Sequence, residues 1–225
     1  MPATPRVKFC GITGLGDAER AVEAGAWAVG LILWEGSPRR CDPAQAQLIA
    51  RSLRRAAEVC GVFVNAPLDE VARTADALGL TMVQLHGDEG PAFCDEVRRR
   101  TGAKIVKAGR VGSLADLRAI ERFHHVDYHL LDTRRDDLHG GTGESWDWTL
   151  VRERRSSVPL ILSGGLTALN VGEAIRVVHP FAVDTASGTE SAPGVKDPAK
   201  LTAFAAAVRA AAQDDGVAPT AEVAT

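Results

Sequence analysis

The feature that most constrains this chain is an eightfold alternation of a short apolar run with a stretch of helical spacing. The apolar runs are residues 7–10, 28–33, 61–64, 82–85, 104–108, 128–131, 160–162 and 181–184. Between and after them, helical spacing covers 17–24, a stretch opened by Pro43, then 68–78, 91–100, 113–120, a stretch starting near Ala168, and 198–212. Asp42 stands where a cap belongs, with proline at the first helical position. A Gly-rich stretch follows the sixth run. Runs this short and apolar suit strands buried on both faces, which is the condition of a parallel sheet.

Such alternation permits a closed (β/α)8 barrel or a doubly wound open sheet, and periodicity does not separate them. The count of eight favours a single α/β domain of the (β/α)8 TIM-barrel type over residues 1–213. Residues 214–225 are small, polar and aperiodic, so they are expected to form a disordered tail. A formal charge of −3 gives no reason to expect nucleic acid or an anionic membrane as partner. No apolar run approaches the ~20 residues of a membrane span, and the N-terminus lacks a secretory pattern, so a cytoplasmic location is expected. Cys10, Cys41, Cys60 and Cys94 form no CxxC pair, and no histidine lies at zinc-site spacing, so neither a disulfide framework nor a metal is expected.

A parallel barrel builds its active site from loops leaving the C-terminal ends of its strands. At those ends stand Cys10, the loop with Arg39, Gln84 and His86, Lys107, Asp132, Ser163 with Gly164 and Gly165, and Asp184 followed by Ser187 and Gly188. Gly164-Gly165 and Ser187-Gly188 follow the last two strands, where barrels often bind phosphate through backbone N–H groups. Each glycine taken alone does no more than turn a loop; the pair in that place favours phosphate. Cys60 and Cys94 read as small buried hydrophobes, and Cys41 has no assigned role. Cys10 ends the first strand, where a neighbouring cation could convert its thiol into a thiolate able to take a proton. Asp132 ends the sixth, and an acid after an apolar strand needs a partner or a function. An acid and a base across a barrel mouth suit proton relocation, whereas the bland reading of Asp132 is a loop cap.

Taken together, several segments resemble the phosphoribosylanthranilate isomerases. They are Lys8-Phe-Cys-Gly-Ile-Thr13, Gly30 to Arg39 with its Ser-Pro-Arg ending, Val62-Phe-Val-Asn65, Val83 to Glu89, and Leu130-Leu-Asp132 followed by Gly140-Gly-Thr-Gly143. Leu162-Ser-Gly-Gly-Leu166, Val183 to Glu190 and Pro193-Gly-Val-Lys-Asp197 complete the series, in order, from about residue 6 to the last helix. The resemblance implies a (β/α)8 barrel with no cofactor and a small phosphosugar-anthranilate substrate, acting as monomer or homodimer. It implies an Amadori rearrangement of an aminoaldose, with Asp132 as general acid and Cys10 as general base. Arg39 would read the anthranilate end, Gln84, His86 and Asp184 would bind substrate, and Gly141, Gly164, Gly165, Ser187 and Gly188 would hold the phosphate. Trp146 stands where the family commonly has phenylalanine, and Thr185-Ala186 where Val-Ser is usual, which moves one hydroxyl by a residue. The charged stretch 134–139 is expected to act as a lid. The competing enzyme reading is the related histidine-pathway isomerase, which uses aspartate at the end of strand one, where this chain has Cys10. A barrel retired to regulation would have lost the acid or the base.

Overall fold

All eight apolar runs become strands of one closed parallel sheet. The computed structural model describes residues 4–132 and 148–214. The strands are β1 (Arg6–Cys10), β2 (Ala28–Ile32), β3 (Glu58–Phe63), β4 (Met82–Leu85), β5 (Lys104–Arg110), β6 (Tyr128–Asp132), β7 (Leu160–Ser163) and β8 (Ala182–Thr185). The helices are α1 (Leu15–Glu23), α2 (Pro43–Ser52), α3 (Leu68–Leu78), α4 (Pro91–Thr101), α5 (Leu114–Ile120), α6 (Thr149–Arg152), α7 (Val171–Val178) and α8 (Pro198–Asp214). Closure is made by β1 and β8, whose register pairs Lys8 with Asp184 and Phe9 with Thr185. The open-sheet alternative is thereby excluded.

Because successive strand residues face opposite sides, each strand serves two cores. Phe9, Leu31, Phe63, Leu85, Ile105, Leu131, Leu162 and Val183 point outward and pack under the helices. Cys10, Ala28, Cys60, Val62, Met82, Val106, Ala108, Leu130, Ile161 and Ala182 point inward and fill the barrel. The inner set is rich in small residues, which leaves room for a long side chain among them, that of Lys8, fully buried. At the N-terminal end, Trp27, Tyr128 and Phe181 pack ring to ring at 5.2–5.5 Å. The Arg6 guanidinium lies 5.1 Å from the Phe181 ring and 5.5 Å from that of Trp27. This aromatic floor plugs the end of the barrel opposite the strand C-termini.

Local signals account for most boundaries. Asp42 caps α2 by accepting from the Ala44 and Gln45 backbone N–H groups at 2.9 and 3.4 Å. Ser113 caps α5 through the Asp116 N–H, and α3 stops at Gly79, whose φ of 62° suits a left-handed cap. Several elements differ from the sequence expectation: α6 is a short helix where only a Gly-rich stretch was read, and β5 runs on to Arg110. α7 begins at Val171 rather than near Ala168, because Asn170 folds back to accept from the Thr167 N–H at 2.8 Å and holds those residues in a turn. After β8 the chain makes a 3₁₀ turn (Ser187–Thr189) and a small antiparallel hairpin, β9 (Glu190–Ala192) and β10 (Val195–Lys196), before α8. No apolar periodicity announces this excursion. The expected lid at 134–139, Gly141, Trp146 and the expected tail beyond Asp214 lie outside the described residues.

Candidate functional site

Strand parity decides which residues face the barrel mouth. On β1 the inward positions are Lys8 and Cys10, on β4 Gln84 with His86 just beyond, on β6 Asp132, on β7 Ser163 and on β8 Asp184. Cys10 and Asp132 therefore stand on facing walls, separated by β8 and β7. Space for the Cys10 thiol comes from β2: a Cβ on Gly30, the register partner of Cys10, would lie 2.6 Å from its Sγ. Arg110, on the strand beside Asp132, is its register partner.

Below Cys10, Lys8 donates from Nζ to Asp184 Oδ1 at 2.8 Å, and Ser163 Oγ donates to Oδ2 at 3.0 Å. Burial alone would strip Lys8 of its proton, but Asp184, with Cys10 and Cys60, outweighs that and holds it above the ordinary lysine value. Burial pushes the Cys10 thiol up, against the downward pull of Lys8 and Lys196. Cys60 is pushed up by burial to about 12, in keeping with an inert core thiol. Cys94 and Cys41 are also buried, each raised to about 11, so neither carries a thiolate.

Gln84 and His86 form one unit on β4. The Gln84 amide donates from Nε2 to His86 Nδ1 at 2.9 Å. Burial lowers the His86 pKa, with Asp132 and Asp184 partly opposing, so the neutral ring carries its proton on Nε2 and offers a donor. Lys107, expected at a strand end, lies within β5, which runs on to Arg110, and is not in the mouth. It faces outward, donating to Gly87 O at 2.6 Å and Glu89 Oε2 at 2.9 Å, and so pins the loop after β4. Glu89 also accepts from the Asn65 and Gly87 N–H groups, which makes it the hub of that loop.

Arg39 reaches the rim from the loop before α2 and is clamped there. Its Nε donates to both Glu190 carboxylate oxygens at 2.9 and 3.0 Å, and its Nη2 to Oε2 at 2.8 Å. Burial alone would lift the Glu190 carboxyl, yet Arg39 and Lys196 together hold it below the ordinary value. Gly194 N–H and Lys196 Nζ, each at 3.3 Å, complete the shell around that carboxylate. Glu190 and Lys196 come from the hairpin after β8, which sequence reasoning did not single out. Lys8 did carry a signal, since a charged residue within an apolar strand demands a counter-charge.

The two late loops are knit together. Gly164 and Gly165 have φ of 101° and 65°, open to glycine without strain. Thr185 Oγ1 donates to Leu166 O at 2.8 Å, which braces the β7 loop against the end of β8. A Cβ on Gly188 would lie 2.0 Å from that same carbonyl oxygen, so only glycine brings the 3₁₀ turn this close. The four phosphate-site candidates Gly164, Gly165, Ser187 and Gly188 are thus brought together. Among the described residues no group of three or more His, Cys, Asp or Glu side chains is arranged to hold a metal ion, and no helix is long and apolar enough to cross a membrane.

With this geometry in place, comparison with known proteins is direct. Residues 7–207 match the family model for N-(5'-phosphoribosyl)anthranilate (PRA) isomerase. An N-(5'-phosphoribosyl)anthranilate isomerase from Pelobacter propionicus is 45% identical over 199 residues, 88% of this chain and 93% of that protein. The Geobacter sulfurreducens isomerase is 47% identical over 199 residues, covering 88% of this chain and 96% of its own. The crystal structure of phosphoribosyl anthranilate isomerase from Thermotoga maritima superposes with a TM-score of 0.83 at 37% identity, covering 92% of this chain and 99% of that one. A solved isomerase in complex with reduced 1-(o-carboxyphenylamino)-1-deoxyribulose 5-phosphate superposes at 0.80 with 35% identity, covering 92% and 99% of the two chains.

Proposed function

The chain belongs to the N-(5'-phosphoribosyl)anthranilate isomerase family, and from that premise we propose how its barrel mouth performs the reaction. The activity is the Amadori rearrangement of N-(5-phosphoribosyl)anthranilate to 1-(2-carboxyphenylamino)-1-deoxyribulose 5-phosphate in tryptophan biosynthesis. Asp132 protonates the furanose ring oxygen, so that the ring opens to a Schiff base. Cys10 then takes the proton from C2′ to give an enolamine, which tautomerises to the ketone. Both steps are general acid–base catalysis by groups on facing walls, and the observation that carries the assignment is the inward placement of Cys10 and Asp132 at the mouth.

Arg39 spends Nε and Nη2 on Glu190, leaving Nη1 for the anthranilate carboxylate, a geometry that suits a guanidinium fork better than an ammonium. His86, with Nε2–H as donor, and the Gln84 and Asp184 side chains bind the ribose hydroxyls. Gly164, Gly165, Ser187 and Gly188 cradle the phosphate with backbone N–H groups, and Gly141 joins them from outside the described residues. The catalytic domain spans 1–213, works in the cytoplasm as a monomer or homodimer, and has no nucleic-acid partner; a dimeric relative is known from Thermotoga maritima. The experiment is the decay of substrate fluorescence on adding purified protein. Rapid decay that disappears in Cys10→Ala and Asp132→Asn is expected. Turnover within a few fold of wild type in either variant sinks that residue's assignment.

A further inference from the structure

Five charged side chains meet on the β1–β8 side of the barrel mouth. Lys8 pairs with Asp184 at 2.8 Å, and Arg39 pairs with Glu190 through three contacts of 2.8–3.0 Å. The fifth is Lys196, whose side chain is fully shielded from solvent and whose Nζ donates to the neutral Ala186 carbonyl at 2.9 Å. Its contact with Glu190, at 3.3 Å, is longer than any that Arg39 makes with the same carboxylate. Among these five, three cations face two carboxylates, and the nearby Asp17 carboxylate accepts from the Lys196 backbone N–H rather than from its Nζ. One ammonium is thus left without a full counter-charge in a place where an unpaired charge is costly.

Register identifies the missing anion. Phe9 pairs with Thr185, so the next residues along, Cys10 and Ala186, stand level on neighbouring strands. The carbonyl that holds Lys196 belongs to Ala186, which brings the ammonium to the height of Cys10. Among the ionisable groups, Lys8 on the same strand acts on Cys10 most strongly and hydrogen-bonds it, but its charge is already matched by Asp184 on β8. Lys196 on β10 is the other cation that acts there, Cys60 on β3 feels the Cys10 charge in turn, and β2 presents only Gly30. On the far wall Asp132 and Arg110 are register partners on β6 and β5.

We propose that Lys196 is a positioning residue of the isomerisation, its buried ammonium being the counter-charge of the Cys10 thiolate that takes the C2′ proton. The proposal rests on the reading of Cys10 as the base. Burial favours the neutral form of each partner, raising the thiol and lowering the amine, and each partner's charge opposes that shift in the other. The hairpin after β8 thereby delivers the cation that makes a buried thiol usable as a base. On proton transfer the thiolate becomes a thiol and the cationic Schiff base a neutral enolamine, so charge balances within the site.

The test reads the Cys10 titration directly, as ultraviolet thiolate absorbance against pH, using Cys10→Ser as the blank. Lys196→Met is expected to move the midpoint up by about one pH unit or more, with kcat down about tenfold and KM within about threefold. Lys196→Arg should recover most of both losses, and it carries the test if the methionine variant fails to fold. An unmoved midpoint in Lys196→Met, or in Lys196→Arg relative to wild type together with lost turnover, overturns the assignment. Wild-type turnover in Cys10→Ser instead overturns the base reading itself and leaves the midpoint shift as a separate result.

Discussion

The two ends of this barrel solve opposite problems. At the floor, Trp27, Tyr128, Phe181 and the overlying Arg6 guanidinium close the N-terminal end with ring packing. At the mouth, Lys8, Asp184, Arg39, Glu190 and Lys196 fill similar space with buried charge. Aromatic packing is favourable wherever water is excluded, whereas buried ion pairs roughly repay their own desolvation and contribute little net stability. The floor holds the barrel shut. The mouth holds charged groups out of water at a stability cost that only function justifies.

That contrast can be broken in order of effect. Cys10→Ala and Asp132→Asn should each lower kcat by about 10²–10⁴-fold while thermal unfolding stays near wild type, because neither removes core volume of consequence. Loss of fold in either would erase the division between the two ends. Phe181→Ala at the floor should do the reverse, costing about 3 kcal/mol of stability with kcat/KM within about twofold in the folded fraction.

Glu190→Gln sharpens the comparison through pH. The folded-state pKa of Glu190 is depressed, so its ionised form contributes stability above the ordinary value of 4.5, and that contribution is lost as pH falls through the lower folded value. Denaturant midpoints should therefore differ most between wild type and Glu190→Gln near neutrality and converge below pH 4.5. A gap that persists at low pH would show that shape, not charge, is what the mouth requires. The smallest effect is expected for Glu96→Gln on α4, where contacts with Arg99 and Arg100 hold the Glu96 carboxyl down at about 2 yet the cluster lies at the surface. A melting shift above about 1 °C there would contradict the expectation that exposed pairs contribute little.

How far the sequence could be read follows the same division. Strand and helix positions were legible because burial on both faces leaves a continuous apolar signature, and α3 and β4 fall at the expected residues. Cys10 and Asp132 were legible because strand ends in a barrel point to its mouth. Lys107 was not, since one residue of parity turns its side chain to the outer face, where Glu89 takes it. Glu190 and Lys196, though inside segments that carry the family resemblance, received no role for a different reason. They lie in a short hairpin without periodicity, and their meaning depends on partners 151 and 10 residues away, Arg39 and Ala186.

The aromatic floor has one further consequence. With Trp27, Tyr128 and Phe181 packed across the N-terminal end and inward side chains filling the barrel above them, the site opens like a cup on one side only. Reactant and product share a single doorway, so each turnover must empty the vessel before the next molecule enters, and product competes with substrate by geometry alone.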